Sequence, residues 1–204
     1  MAAESLGKDR FEQAYEGKAP WDIGRPQPVL REVAEGVSGS ILDAGCGTGE
    51  NALFFAERGH QVVGIDFLEK PIAKAKAKAQ SRGLTVTFLV IDALRLDAIP
   101  DHFDAVIDCG LFHVFSDEDR LRYVAGLASV MNPGGKLFLL CFSDREPPGD
   151  GPRRVSQREI RESFAESWDI ETITEARFAI RSDLEDRHFS EGGPKAWFSV
   201  IRSA

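Results

Sequence analysis

Four acids and a run of glycines carry most of the chemistry legible in this chain. Ile41-Leu42-Asp43-Ala44-Gly45-Cys46-Gly47-Thr48-Gly49-Glu50 runs from two apolar residues into an acid, with glycine at every second position after it. A helical run, Asn51 to Arg58, follows and closes at Gly59. Glycine lacks a Cβ, so such a turn lets the backbone bend sharply and lets a ligand touch it, with free amide N–H groups beyond. The turn is expected to bind an anionic group. Asp66 ends the next apolar run, Gln61 to Ile65, at about the distance from the glycines at which a carboxylate reaches a ribose diol. It accepts two hydroxyl hydrogen bonds at once, and capping a helix is its other reading.

The remaining candidates lie further along. Leu84 to Val90 alternates as a strand before Asp92-Ala93, where an acid and a backbone N–H match the donor and acceptor of adenine, and an ordinary turn acid is the other reading. Phe103 to Asp108 is a fourth strand, leading into Cys109-Gly110-Leu111-Phe112-His113. Of the four histidines only His113 follows a predicted strand end on the crevice side, and its ordinary pKa of about 6.5 suits a general base. A structural histidine is the competing reading. No metal site is expected, because Cys46, Cys109 and Cys141 show no CxxC spacing.

These residues need a scaffold that brings strand ends together. Seven strands are predicted: 41–44, 61–66, 84–90, 103–108, 137–142, 168–178 and 195–201. Helices are predicted over 8–17, 28–36, 51–58, 69–82, 116–131 and 156–167. Alternation of strand and helix implies an α/β doubly wound sheet, with binding at the carboxyl ends of parallel strands. The last two strands, without a helix between them, close the sheet as a hairpin. Lys70, Lys74 and Lys78 read as a solvated helix face. The loop from Ser143 to Arg154, rich in Pro and Gly, is long enough to act as a lid. Trp21, in an irregular Pro- and Gly-rich segment, either covers a ligand or plugs the N-terminal arm down.

Composition narrows the function. At 204 residues the chain suits one domain, and a net charge of -8 without a basic stripe argues against nucleic acid as partner. No apolar run is long enough for a membrane span and the N-terminus lacks a signal-peptide core, so a cytoplasmic protein is expected.

Spacing GxGxG, rather than the dinucleotide GxGxxG, together with Asp43 two residues before the first glycine, resembles motif I of the class I S-adenosylmethionine-dependent methyltransferases. Asp66, Asp92 and Asp108-Cys109 follow in that family's order. The resemblance implies a Rossmann-like fold, a seven-stranded mostly parallel sheet with an antiparallel last strand and helices on both faces. It implies S-adenosylmethionine as cofactor and S-adenosylhomocysteine as product. Asp43, Gly45, Cys46, Gly47, Gly49, Asp66, Phe67, Asp92, Ala93, Asp108 and Cys109 are assigned to the cofactor. Ala19-Pro20-Trp21-Asp22-Ile23-Gly24, Ile107 to His113 and the segment after Cys141 resemble, more narrowly, bacterial small-molecule methyltransferases akin to thiopurine S-methyltransferase and heterocyclic toxin methyltransferases. That likeness implies that Trp21 covers the cofactor, within an arm over residues 1–36 preceding a domain over 37–204. It implies that His113, Phe142 and Arg154 face the acceptor, where Tyr15 and Phe112 are also assigned.

The expected reaction is in-line transfer of a methyl group to an S, N or O atom of a small aromatic, heterocyclic or thiol acceptor, by a monomer or weak dimer. A non-catalytic cofactor-binding protein, a protein-modifying methyltransferase and an NAD-dependent oxidoreductase are the alternatives.

Overall fold

The computed structural model describes residues 4–17, 19–149, 151–183 and 189–204. The strands are β1 (Ile41–Ala44), β2 (Val62–Asp66), β3 (Thr87–Val90), β4 (Phe103–Cys109), β5 (Met131–Phe142), β6 (Trp168–Arg177) and β7 (Lys195–Ser203). The helices are α1 (Lys8–Glu16), α2 (Pro28–Glu32), α3 (Glu50–Ala56), α4 (Glu69–Arg82), α5 (Asp117–Val130) and α6 (Gln157–Ser163). All seven strands form one sheet in the order β3-β2-β1-β4-β5-β7-β6. β1 to β5 pair in parallel, and β7 runs antiparallel between β5 and β6.

Side chains alternate across a strand, so each central strand feeds two cores. Leu137, Leu139 and Cys141 join Leu42, Val106, Tyr123, Leu127 and Ile160 on the face covered by α5 and α6. Phe138, Leu140 and Phe142 join Ile41, Ile107, Leu53, Phe55 and Ile72 on the face covered by α2, α3 and α4. Both faces are apolar, so the inner strands carry apolar residues on both sides, with acids at or near their ends.

Local chemistry sets the helix ends. Ser116 accepts the Asp119 amide at the start of α5, and Ser156 with Glu159 forms a reciprocal capping box on α6. α4 ends at Gly83, which takes the left-handed conformation that favours glycine. After α5, Met131 already pairs with Phe103. The register then shifts across Asn132-Pro133-Gly134-Gly135 before Lys136 pairs with Ala105, so β5 starts six residues before the expected Leu137. Lys78 departs from the solvated face expected of α4, because its Nζ lies 2.8 Å from both Glu50 Oε1 and Thr48 Oγ1. Lys70 and Lys74 are exposed.

Candidate active site

The carboxyl ends of β1, β2, β4 and β5 converge on a cavity of about 710 Å³, within the range of about 300–1,000 Å³ typical of small-molecule sites. Its floor is the glycine turn. Gly47 has φ +54, and a Cβ there would stand 2.6 Å from the Tyr15 hydroxyl; Gly49 has φ +85 and leads into α3. Asp66 holds the turn in place. One of its oxygens accepts the Gly47 amide at 3.1 Å and the other accepts the Leu68 amide at 3.0 Å. A carboxylate has about four lone-pair sites, so two amides leave room for a diol.

Gly45, Cys46, Gly47, Asp66, Phe67, Asp92, Ala93 and Cys109 all line the cavity. Asp92 turns one oxygen to the Leu94 amide. Asp43, Gly49 and Asp108 stand one layer behind the wall. Asp43 accepts the Ala52 amide at 3.0 Å, leaving its other oxygen buried without a partner. Asp108, wholly buried, accepts the Leu111 and Phe112 amides and so folds the turn after β4.

The arm closes one side. Trp21 is 40% exposed and donates its indole N–H to the Tyr15 hydroxyl at 2.9 Å, while Phe11 meets both Trp21 and Phe67. Tyr15 therefore sits over Gly47, on the glycine-turn side of the cavity. Thr48 donates to Asp22 at 2.7 Å, tying the arm to the turn. The buried Gln27 side chain exchanges two 2.8 Å hydrogen bonds with the Ala179 backbone, tying the arm to the segment after β6.

Opposite the turn, His113, Phe142, Phe178 and Phe189 form an aromatic chamber. His113 lies edge-on to Phe142 at 5.1 Å and to Phe178 at 5.7 Å, and Phe142 lies 5.8 Å from Phe189. Two acceptor assignments need correction. Phe112 has no exposed surface and stacks on Phe164 at 5.7 Å, because the turn after β4 rotates it into the core; Leu111 lines the cavity instead. Arg154 lies behind the wall, donating to the Pro147 and Pro152 carbonyls with its guanidinium 5.5 Å from the Phe142 ring. Phe178 and Phe189, read from sequence as a strand end and part of a polar connection, are the wall residues that sequence reasoning missed. Their only signal was two aromatics in an otherwise polar stretch.

The loop after β5 departs from a free lid. Ser143 bridges Val155, and Asp144 accepts the Trp197 indole N–H at 3.1 Å. Glu146, 3% exposed, accepts the Ser190 and Lys195 amides at 2.9 and 2.8 Å. Asp150 of this loop and residues 184–188 of the β6–β7 connection lie outside the described residues. Glu146→Ala would leave two amides without a carboxylate partner. A loss of about 2–3 kcal/mol in stability is expected by denaturant titration.

Burial raises the carboxyls around the turn: Asp43 to about 7, Asp66 to about 6 and Asp108 to about 6. Because these folded-state values lie above the ordinary one, stability of the free protein is expected to rise as pH falls from about 7 toward 4. A bound cation favours the ionised acids, so a cationic ligand should release protons on binding and bind about 10-fold or more tightly at pH 8 than at pH 5.5. Calorimetry in two buffers of different ionisation enthalpy reads that release.

A methyltransferase-domain model matches residues 41–135. A 2-heptyl-1-hydroxyquinolin-4(1H)-one methyltransferase from Mycobacteroides abscessus is 39% identical over 199 residues, covering 91% of this chain and 86% of that relative. The chain belongs to the class I S-adenosylmethionine-dependent methyltransferases. A probable thiol methyltransferase 2 from Arabidopsis thaliana is 30% identical over 155 residues, 73% of this chain and 68% of the relative. Among solved structures, one described for conversion of a disulfide bond into a thioacetal group during echinomycin biosynthesis superposes with a TM-score of 0.84. It is 33% identical, covering 97% of this chain and 93% of that one.

S-adenosylmethionine is thus the cofactor of this methyltransferase and S-adenosylhomocysteine its product, and the NAD-dependent oxidoreductase reading is set aside. The residues present fit that cofactor: a turn that a Cβ would fill and, lining the same cavity, an acid with spare lone pairs. Among the described residues no helix is long and apolar enough to cross a membrane, and no group of three or more His, Cys, Asp or Glu suits a metal ion.

Proposed function

We propose that this methyltransferase acts on an O, N or S atom of a small aromatic or heterocyclic compound. The observation that carries the reading is the aromatic chamber, walled by His113, Phe142, Phe178 and Phe189 and opening onto the glycine-turn side of the same cavity. Flat apolar walls match a flat apolar acceptor. The quinolone methyltransferase named above supports the class, and its near full-length match is the reason for weighting it.

In this proposal Asp66 holds the ribose diol, and Asp92 with the Ala93 and Leu94 backbone holds adenine. The turn and the Cys109 backbone hold the amino-acid end. Asp43 and Asp108 act from behind by setting the ends of β1 and β4. The arm, residues 1–36, covers the cofactor through Tyr15 and Trp21. Bound there, S-adenosylmethionine supplies an electrophilic methyl group on a sulfonium centre. The protein's part is to hold the acceptor in line with that centre and keep water out, and positioning of this kind is worth effective molarities of about 10⁵ M or more.

The test is incubation with a panel of phenols, hydroxyquinolines and aromatic thiols beside a basic peptide, with S-adenosylhomocysteine as readout. Turnover with the aromatic compounds is the expected result. Turnover with the peptide alone would transfer the reading to protein modification, and no product with tight cofactor binding would make this a non-catalytic binder.

A further inference from the structure

The hydrogen bonding around His113 assigns its proton to one nitrogen. Nδ1 accepts the Phe142 amide N–H at 2.9 Å, which requires a lone pair on that nitrogen. A neutral imidazole carries one N–H, so the proton sits on Nε2. Among the described residues no group bonds to Nε2. It lies toward Gly110 and Phe178, 3.6 Å from where a Gly110 Cβ would stand, and His113, Gly110 and Phe178 line one cavity. Burial first, then Arg120 and Arg154, push the ring's pKa down to about 3. A ring in this state donates a hydrogen bond and has no free nitrogen lone pair for a proton, a different role from the general base expected from sequence.

Charge around the cavity is divided in the same sense. Three carboxylates, Asp43, Asp66 and Asp108, surround the glycine turn where the cationic cofactor is held. On the acceptor side the charged groups acting on His113 are guanidiniums, Arg120 of α5 and Arg154 of the loop after β5. Arg120 is 3% exposed, lies 4.4 Å over the Phe112 ring, and keeps Nε and Nη2 unpaired even with Glu159 at 3.5 Å and Asp117 at 3.9 Å from Nη1. Phe142 and Phe178, the remaining neighbours of the ring, bring no charge.

We infer that the acceptor is an acidic aromatic hydroxyl compound that binds and reacts as its oxyanion, held by a hydrogen bond from Nε2–H of His113. The inference rests on the small-molecule reading above. The acceptor's proton leaves to solvent before binding. Its oxygen forms the new O–CH3 bond with its own electron pair, the S–CH3 bond breaks toward sulfur, and no proton passes to the protein. His113 thus sets specificity, since a hydroxyl that stays neutral in solution finds no group here to ionise it.

The probes are 1-hydroxyquinolin-4(1H)-one and ring-halogenated derivatives of graded acidity, with the full-length enzyme. kcat/KM is expected to rise with pH at a midpoint that follows each free acceptor's own pKa. A midpoint that stays at one pH for every acceptor would overturn the inference while leaving methyl transfer to small aromatics standing. Failure to methylate any aromatic compound overturns both. His113→Phe should lower kcat/KM by about 10- to 100-fold with the affinity for S-adenosylhomocysteine kept, and His113→Gln, which restores a donor, should recover most of it. Parent-like kcat/KM in a folded His113→Phe variant counts against the inference. Nitrogen-15 NMR of the unmodified enzyme needs no variant: Nε2 should stay protonated and Nδ1 unprotonated from pH 5.5 to 9, and a proton on Nδ1 in that range overturns it.

Discussion

Asp66→Ala is expected to weaken S-adenosylhomocysteine binding by about 100-fold or more, the largest effect on the cofactor of any single change at the site. Two hydroxyl hydrogen bonds to a carboxylate are each worth about 1.5–3 kcal/mol, and 1.4 kcal/mol is a factor of ten. The same carboxylate also holds the Gly47 and Leu68 amides, so its loss slackens the turn that the amino-acid end of the cofactor touches. Asp66→Asn keeps one acceptor oxygen and should fall between parent and alanine. Calorimetry with S-adenosylhomocysteine measures all three, and an alanine variant binding within about threefold of the parent would remove Asp66 from the ribose.

Gly49→Ala should cost stability without removing a side chain from the cavity. Gly49 has φ +85, and the added Cβ would stand 2.9 Å from both Ala75 Cβ and the Phe88 ring, neither of which is the free end of a flexible side chain. Left-handed backbone costs about 1–2 kcal/mol and overpacking about 1–3 kcal/mol, for a total of about 3 kcal/mol and a Tm lower by about 6–12 °C. Gly59 separates the two terms. Its φ is +87 with open space around it, so Gly59→Ala should carry the backbone cost alone, about 2–8 °C. Equal losses at both positions in a thermal melt would show that the contact with α4 and β3 is not tight.

Arg120 and Phe112 illustrate why the acceptor side was harder to read than the cofactor side. Cofactor chemistry is written into consecutive residues: the turn from Gly45 to Gly49 and the acids at the ends of β2 and after β3 are local, and each strand end brings its acid to the same edge of a parallel sheet. The acceptor side is assembled from the turn after β4, the loop after β5 and the connection after β6, segments far apart in the chain. Two residues in sequence there point to opposite sides, which is why Phe112 enters the core and His113 the cavity. Arg154 is assigned to the acceptor by resemblance alone. Two carbonyls of its own loop take its terminal nitrogens first, and its Nε is buried without a partner.

From its residues alone this chain determined the order of strands and helices, the closing hairpin, the glycine turn and the acids beside it, because periodicity and turn chemistry act over a few neighbours. Tertiary structure alone decided which aromatics wall the chamber, that the arm is braced through Thr48 to Asp22 and Gln27 to Ala179, and which nitrogen of His113 carries the proton. The last turns on a single amide, that of Phe142, 29 residues away. Hydrogen bonds between such distant segments follow from how the sheet and its loops pack, and no local pattern encodes them.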